Sequence, residues 1–144
     1  MGIGKTMFLI RMAYWLGIGA DALWAVALLF PPLFFTLTGT PDFDSDLQVK
    51  QIMGVGGSLM TGWTLLLIWA LRRPIERRVV ILLTAFPVAA GMFVVAFIGF
   101  MAGSATNAWI MAKTVVLIVS MVTSYVLADR IAAQATPAVD PEPS

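Results

Sequence analysis

Four apolar stretches of about 20 residues, separated by short polar segments, fill most of this 144-residue chain. At about 1.5 Å of rise per residue, each can cross a hydrocarbon core of about 30 Å as a helix. Inside lipid no water bonds the backbone, so a crossing segment must close its own hydrogen bonds, and an α-helix does this within one segment. Composition agrees. With 60% hydrophobic residues, 12% charged residues and a mean hydropathy of +0.91, the chain lies outside the range of soluble globular domains. The expected fold is all-α and integral to the membrane: a four-transmembrane-helix bundle with short loops. These 144 residues leave no room for a soluble catalytic domain.

The expected spans are residues 12–37, 52–71, 79–101 and 108–128. Pro31 and Pro32 lack the N–H a helix interior needs, so they end or kink the first span near the membrane surface. Pro87 predicts an irregularity inside the third span. Lys5 and Arg11 before an apolar run mimic a signal peptide, but the run continues through Asp21 to Phe30 with no small-residue cleavage motif. Residues 132–144, rich in Ala, Pro and acidic side chains without apolar periodicity, are expected to form a disordered cytoplasmic tail.

Charge sets the orientation. Arg72, Arg73, Arg77 and Arg78 crowd the turn between the second and third spans and mark it as cytoplasmic by the positive-inside rule. Lys5, Arg11 and Arg130 fall on the same side, which places both termini in the cytoplasm and suits a bacterial inner membrane. Tyr14, Trp15, Trp69, Trp109 and Trp63 fall near the expected interfaces, where amphipathic rings anchor helices.

Asp21 and Lys113 are the ionisable side chains inside the apolar spans, and any polar chemistry in the bilayer must involve one of them. A charge at the bilayer centre costs about 2.5–3.5 kcal/mol on insertion scales, so such groups face a packed interior or a cavity. Counted from the outer helix ends, Lys113 lies about 7 Å deep and Asp21 about 13 Å deep. An intramembrane polar pair is therefore geometrically open if the first and fourth helices are neighbours. Trp24, three residues from Asp21, and Ser120 and Ser124, on the Lys113 face of the fourth helix, are the candidate pocket lining. The alternatives are a structural pair or a snorkelling lysine, a proton- or ion-coupled site, and a pocket for an amphipathic small molecule.

Small residues at four-residue spacing let membrane helices approach closely. Gly17 in the first span, Gly54, Ser58 and Gly62 in the second, and Gly99 and Gly103 in the third are the expected packing positions. They build the bundle itself or a homodimer or partner interface. The chain has neither cysteine nor histidine, which excludes Cys- or His-ligated metal sites and disulfides within it. Asp42, Asp44 and Asp46 alternate as in a calcium loop but lack its glycine and terminal glutamate. No metal or cofactor is expected, and the net charge of +1 gives no footprint for nucleic acid. No nucleophile–base pair is visible.

Arg11 opening the first span, the run from Gly54 to Ser58 opening the second, and the arginine turn 72–78 resemble the layout of the small bacterial four-helix membrane proteins of the DoxX-like group. Some members of that group are associated with redox complexes as membrane subunits. The glycine-lysine signature expected near the end of the first helix is replaced here by Gly17, Gly19 and Asp21, so no site residue is carried over. The functional expectation is a non-enzymatic accessory or structural subunit of a membrane assembly. The alternative is a small proton-coupled transporter or small-molecule-binding protein that uses Asp21 and Lys113.

Overall fold

The computed structural model describes residues 3–135, and all regular secondary structure among them is helical. Four helical segments are long and apolar enough to cross a membrane: Gly4–Leu29, Leu47–Leu71, Val79–Met101 and Thr106–Gln134. Large apolar side chains point outward from the bundle, Val95 and Leu59 at 71% exposure, which suits a lipid surround and not water. This is a multi-pass membrane protein.

Helix α1 (Ile3–Leu29) ends two residues before Pro31. Phe30 is pushed out of helical geometry, with φ −119° and ψ 85°, as a residue before proline is, and Pro31 opens the separate short helix α2 (Pro31–Leu37). The single span 12–37 is thus corrected to a longer first helix and a break. In an unbroken helix residues 24 and 34 would lie about 15 Å apart along the axis. Instead the rings of Trp24 and Phe34 meet edge-on at 5.9 Å, so α2 turns back toward α1. Helix α3 (Leu47–Leu71) starts five residues earlier than expected because Asp46 caps it, its Oδ1 accepting from the Val49 N–H at 2.8 Å. This carboxylate is the N-cap of α3.

The third span is continuous from α4 (Val79–Leu83) through a π-helical segment (Thr84–Ala89) into α5 (Ala90–Met101). Pro87 sits inside the π turn, where its missing N–H is absorbed by the wider register. Thr84, fully buried, donates to the Val80 carbonyl at 2.8 Å and accepts from Trp63 Nε1 at 3.0 Å. Trp63 is therefore an internal tie between the second and third spans, not a belt anchor.

Helix α6 (Thr106–Ala135) runs seven residues past its expected end at 128. Its extension packs Ile131 against the core that holds Ile10 and Ala128. Residues 132–135 of the expected tail are thus helical, and 136–144 lie outside the described residues. Helix α1 lies between α3 and α6, the π segment and α5 lie on α6, and α3 touches α4. The spans form an up-down-up-down bundle. The first and fourth are neighbours, as a shared Asp21–Lys113 site requires.

The arginine turn and both ends of the described chain lie at one end of the bundle, the inner end by the positive-inside rule. There Arg77 stacks 3.5 Å over the Trp69 ring and donates to the Trp69 carbonyl at 2.5 Å. The fully buried Tyr14 donates its hydroxyl to the Arg77 carbonyl at 3.2 Å. Arg78 pairs with Asp129 at 3.0 Å and so ties the turn to α6.

Two of the candidate packing glycines lie against a neighbouring side chain within the bundle, and the others do not. A Cβ on Gly17 would collide with Met121 Cε, so α1 and α6 meet closely there. A Cβ on Gly99 would collide with Asn107. Gly103 instead adopts φ +95° with open space around it and serves the outer turn into α6. Gly54 and Gly62 also have open space, and Ser58 is exposed with its hydroxyl on the Gly54 carbonyl at 2.9 Å. The packed face of α3 runs through Met53, Gly57, Thr64 and Leu67. Adjacent positions differ by about 100° around a helix, so the Gly54 stripe, one residue on from Met53, looks at lipid.

Candidate functional site

Asp21 is 1% exposed, and its Oδ2 has no hydrogen-bond partner. A polar atom in that state costs free energy unless something bonds it, and nearly all buried polar atoms in native proteins are bonded. Asp21 is among the residues that line a cavity of about 520 Å³ between α1 and α6, within the size range of small-molecule sites. Trp15, Leu16 and Trp24 of α1 form one wall, Trp109, Lys113 and Leu117 of α6 the other. Met92 of α5 also reaches the cavity.

Depth explains the grouping. Asp21 precedes the end of α1 by eight residues, about 12 Å, and Lys113 follows the start of α6 by seven, about 10 Å. In antiparallel neighbours these are similar levels, in the outer half of the membrane. The two nevertheless form no ion pair; among the described residues the ion pairs are Arg73–Glu76 and Arg78–Asp129. Lys113 is exposed and its Nζ lies 5.2 Å from the Trp109 ring centroid. The lysine thus lays its stem along the cavity rim and rests its ammonium on an aromatic face, a cation–π arrangement. Asp21 is left without an ionic partner.

The outer loop closes over the same end of the bundle. Gly39, at φ +79°, packs so closely on Thr106 that a Cβ would approach its Oγ1 to 2.7 Å. Trp24, half-buried, carries Phe34 on its edge, and Phe34 in turn meets Phe35. Aromatic side chains therefore connect the cavity wall to α2.

Of the predicted lining residues, Trp24 shares the cavity with Asp21, while Ser120 and Ser124 do not. They line a second opening of about 340 Å³ farther in, with Leu9, Met12, Ala13 and Thr123. The helical wheel put them on the Lys113 face correctly, but seven and eleven residues of rise carry them about 10–16 Å deeper. Trp15 and Trp109, expected as interfacial anchors, are largely exposed and also line the cavity. The spacing of Trp109 four residues before Lys113 was the available signal, since such positions share a helix face. Among the described residues no three Asp or Glu side chains gather as a metal site would need.

No protein-family model, curated protein or solved structure matches the chain. The resemblance to the DoxX-like group rests on layout alone.

Proposed function

We propose that this protein binds a small amphipathic molecule from the membrane, with the polar head on Asp21 and the apolar body against Trp15, Trp24 and Trp109. The observation that carries this reading is the unpartnered Asp21 Oδ2 on a largely apolar cavity. Binding sites take this form, with apolar walls and a few placed polar groups. Charge narrows the head group. Asp21 disfavours an anion, and the Lys113 ammonium at the rim disfavours a cation, so the head is a neutral donor such as a hydroxyl or amide N–H. A donor meets the orphan oxygen at the cost of no new charge.

A diazirine-bearing octanol, photolysed with the protein in nanodiscs, tests this. Saturable labelling of peptides containing Trp15–Trp24 or Trp109–Leu117, competed by octanol and lost in Asp21→Leu, which removes the acceptor, is the expected result. Non-saturable labelling, or labelling that Asp21→Leu leaves unchanged in a folded protein, would sink the proposal.

The accessory-subunit reading draws on a different observation, the lipid-facing stripe of Gly54, Ser58 and Gly62 that a partner helix could approach closely. Its signature is co-purification in fixed ratio with another membrane protein, lost in Gly54→Leu/Gly62→Leu.

A further inference from the structure

The two openings on the α1–α6 seam are parts of one furrow. Leu16 lines both. On α1 the wall runs through Leu9, Met12, Leu16, Gly19 and Leu23, and on α6 the facing wall runs from Trp109 through Lys113, Val116, Ser120 and Thr123 to Leu127. Steps of three and four residues keep each set on a single helix face. From Trp109 to Leu127 the furrow follows 18 residues of α6, about 27 Å, nearly the thickness of a hydrocarbon core.

Polar groups stand at two levels in it. Asp21 is the outer station. The inner one is formed by the hydroxyls of Ser120, Thr123 and Ser124. Thr114 on the same helix donates to the Ile110 carbonyl at 2.8 Å, whereas these three have no hydrogen-bond partner among the described residues. Ser124 is 4% exposed, and its hydroxyl stays accessible at the inner opening, whereas the Asp21 Oδ2 is buried without a partner. Because Gly17 packs on Met121, Ser124 stands level with about Tyr14, roughly seven residues or 10 Å inward of Asp21.

We infer that the molecule bound at Asp21 is an elongated single-chain amphiphile lying along the α1–α6 furrow, with an acceptor oxygen partway down its chain on the Ser120, Thr123 and Ser124 hydroxyls. The inference rests on the binding role proposed for Asp21. A compact head-group ligand would fill the outer cavity and leave the inner hydroxyls unbonded. A plain hydrocarbon chain would fill the inner groove and leave them unbonded too. A chain carrying an ester, ether or ketone oxygen at the second level bonds both stations. Hydroxyls donate to such an oxygen, while Asp21 accepts from the head, so the ligand has a donor end and an internal acceptor.

Competition against diazirine-octanol in nanodiscs, at equal mole fraction in lipid, separates the parts. In wild type, hexadecanol should displace the label at a concentration about tenfold below that of octanol. Hexadecanol bearing a mid-chain ketone should gain several-fold more. The ketone gain should vanish in Ser124→Ala and shrink in the near-isosteric Thr123→Val, which faces the furrow from an exposed position and leaves the core intact. A diazirine at the tail end of hexadecanol should label peptides containing Leu9–Met12 or Leu127. If octanol labels saturably and depends on Asp21 but chain length and ketone add nothing, the furrow inference fails and the Asp21 pocket stands. If no alkanol labels in an Asp21-dependent way, both fail. Tail labelling confined to α3 or α5 would overturn the inference by placing the chain elsewhere.

Discussion

Helix α1 has two seams, and they are built to different standards. Toward α3 it is close-packed: a Cβ on Gly57 would come within 2.8 Å of Leu29 Cγ and within 3.2 Å of the Leu29 backbone nitrogen. Toward α6 it closes at Gly17 and Met121 and is otherwise open, with about 520 Å³ on the outer side and about 340 Å³ farther in. The close seam leaves no room for anything but protein. The open one holds Asp21, whose Oδ2 is buried without a partner, and the Ser124 hydroxyl at the inner opening. Void volume and orphaned hydrogen-bonding capacity coincide on one face, and both are features that selection for stability alone removes. The difference separates a seam built for close packing from one with room for the binding proposed above.

The close seam should break most easily. Gly57→Leu forces a side chain into the end of α1, where the obstruction includes backbone and cannot rotate away, so it should cost about 3 kcal/mol. Gly54→Ala and Gly62→Ala, which add a methyl to open space, should shift the thermal midpoint in the same detergent very little. Equal losses at all three glycines would show that the lipid-facing stripe is packed after all. The open seam should respond with the opposite sign. Asp21→Leu removes an unpartnered buried carboxyl and puts apolar volume beside a cavity, so it should stabilise the protein by about 1–3 kcal/mol while abolishing alkanol labelling. A large destabilisation by Asp21→Leu would mean that the carboxyl holds the bundle together, and the contrast between the seams would fail.

The spans were legible because apolar run length and the positive-inside pattern are local properties. The third span, expected over 79–101, matches Val79–Met101. The first and fourth were misjudged at their ends, where α1 starts nine residues earlier and α6 runs seven residues further because each covers the other beyond the inner surface, Ile10 sharing one core with Ile131. Sequence spacing could place Gly54, Ser58 and Gly62 on one face but not say which face of α3 meets α1, since Gly57 competes one turn along. Asp21 stood out because a carboxylate in an apolar run is rare. What spacing could not reveal was that Lys113 turns to Trp109 and leaves Asp21 unpaired, because that choice depends on how far the seam opens. The serines, expected in one pocket with Asp21, line a second opening displaced by helical rise along the α1–α6 seam.

The inner end offers the finer tests, since its polar groups are bonded where those of the furrow are not. Tyr14→Phe deletes one hydroxyl and leaves the Arg77 carbonyl without that donor, an expected cost of about 1 kcal/mol. Alkanol labelling should persist, because Tyr14 does not line the furrow. A loss of labelling at unchanged stability would show that the inner tie also sets the width of the open seam.

The smallest effect should come from Asp129→Asn. Its partner Arg78 joins the arginine turn to α6 two residues beyond Leu127, the inner limit of the furrow, so the pair is well placed to hold that end shut. Energetics argue against a strong clamp. The Asp129 side chain is 53% exposed and that of Arg78 29%, and pairs with this much access to water contribute about 0.2–1 kcal/mol. Arg78 also keeps its hydrogen bond to the Ile75 carbonyl at 3.2 Å when the charge partner is removed. Asp129→Asn should therefore lower the thermal midpoint slightly at low salt and less at high salt, where screening has already weakened the pair. A salt-independent loss well above about 1 kcal/mol would mean that the inner end depends on this pair as the outer end does not depend on Lys113, and the furrow would then have a latched end as well as an open one.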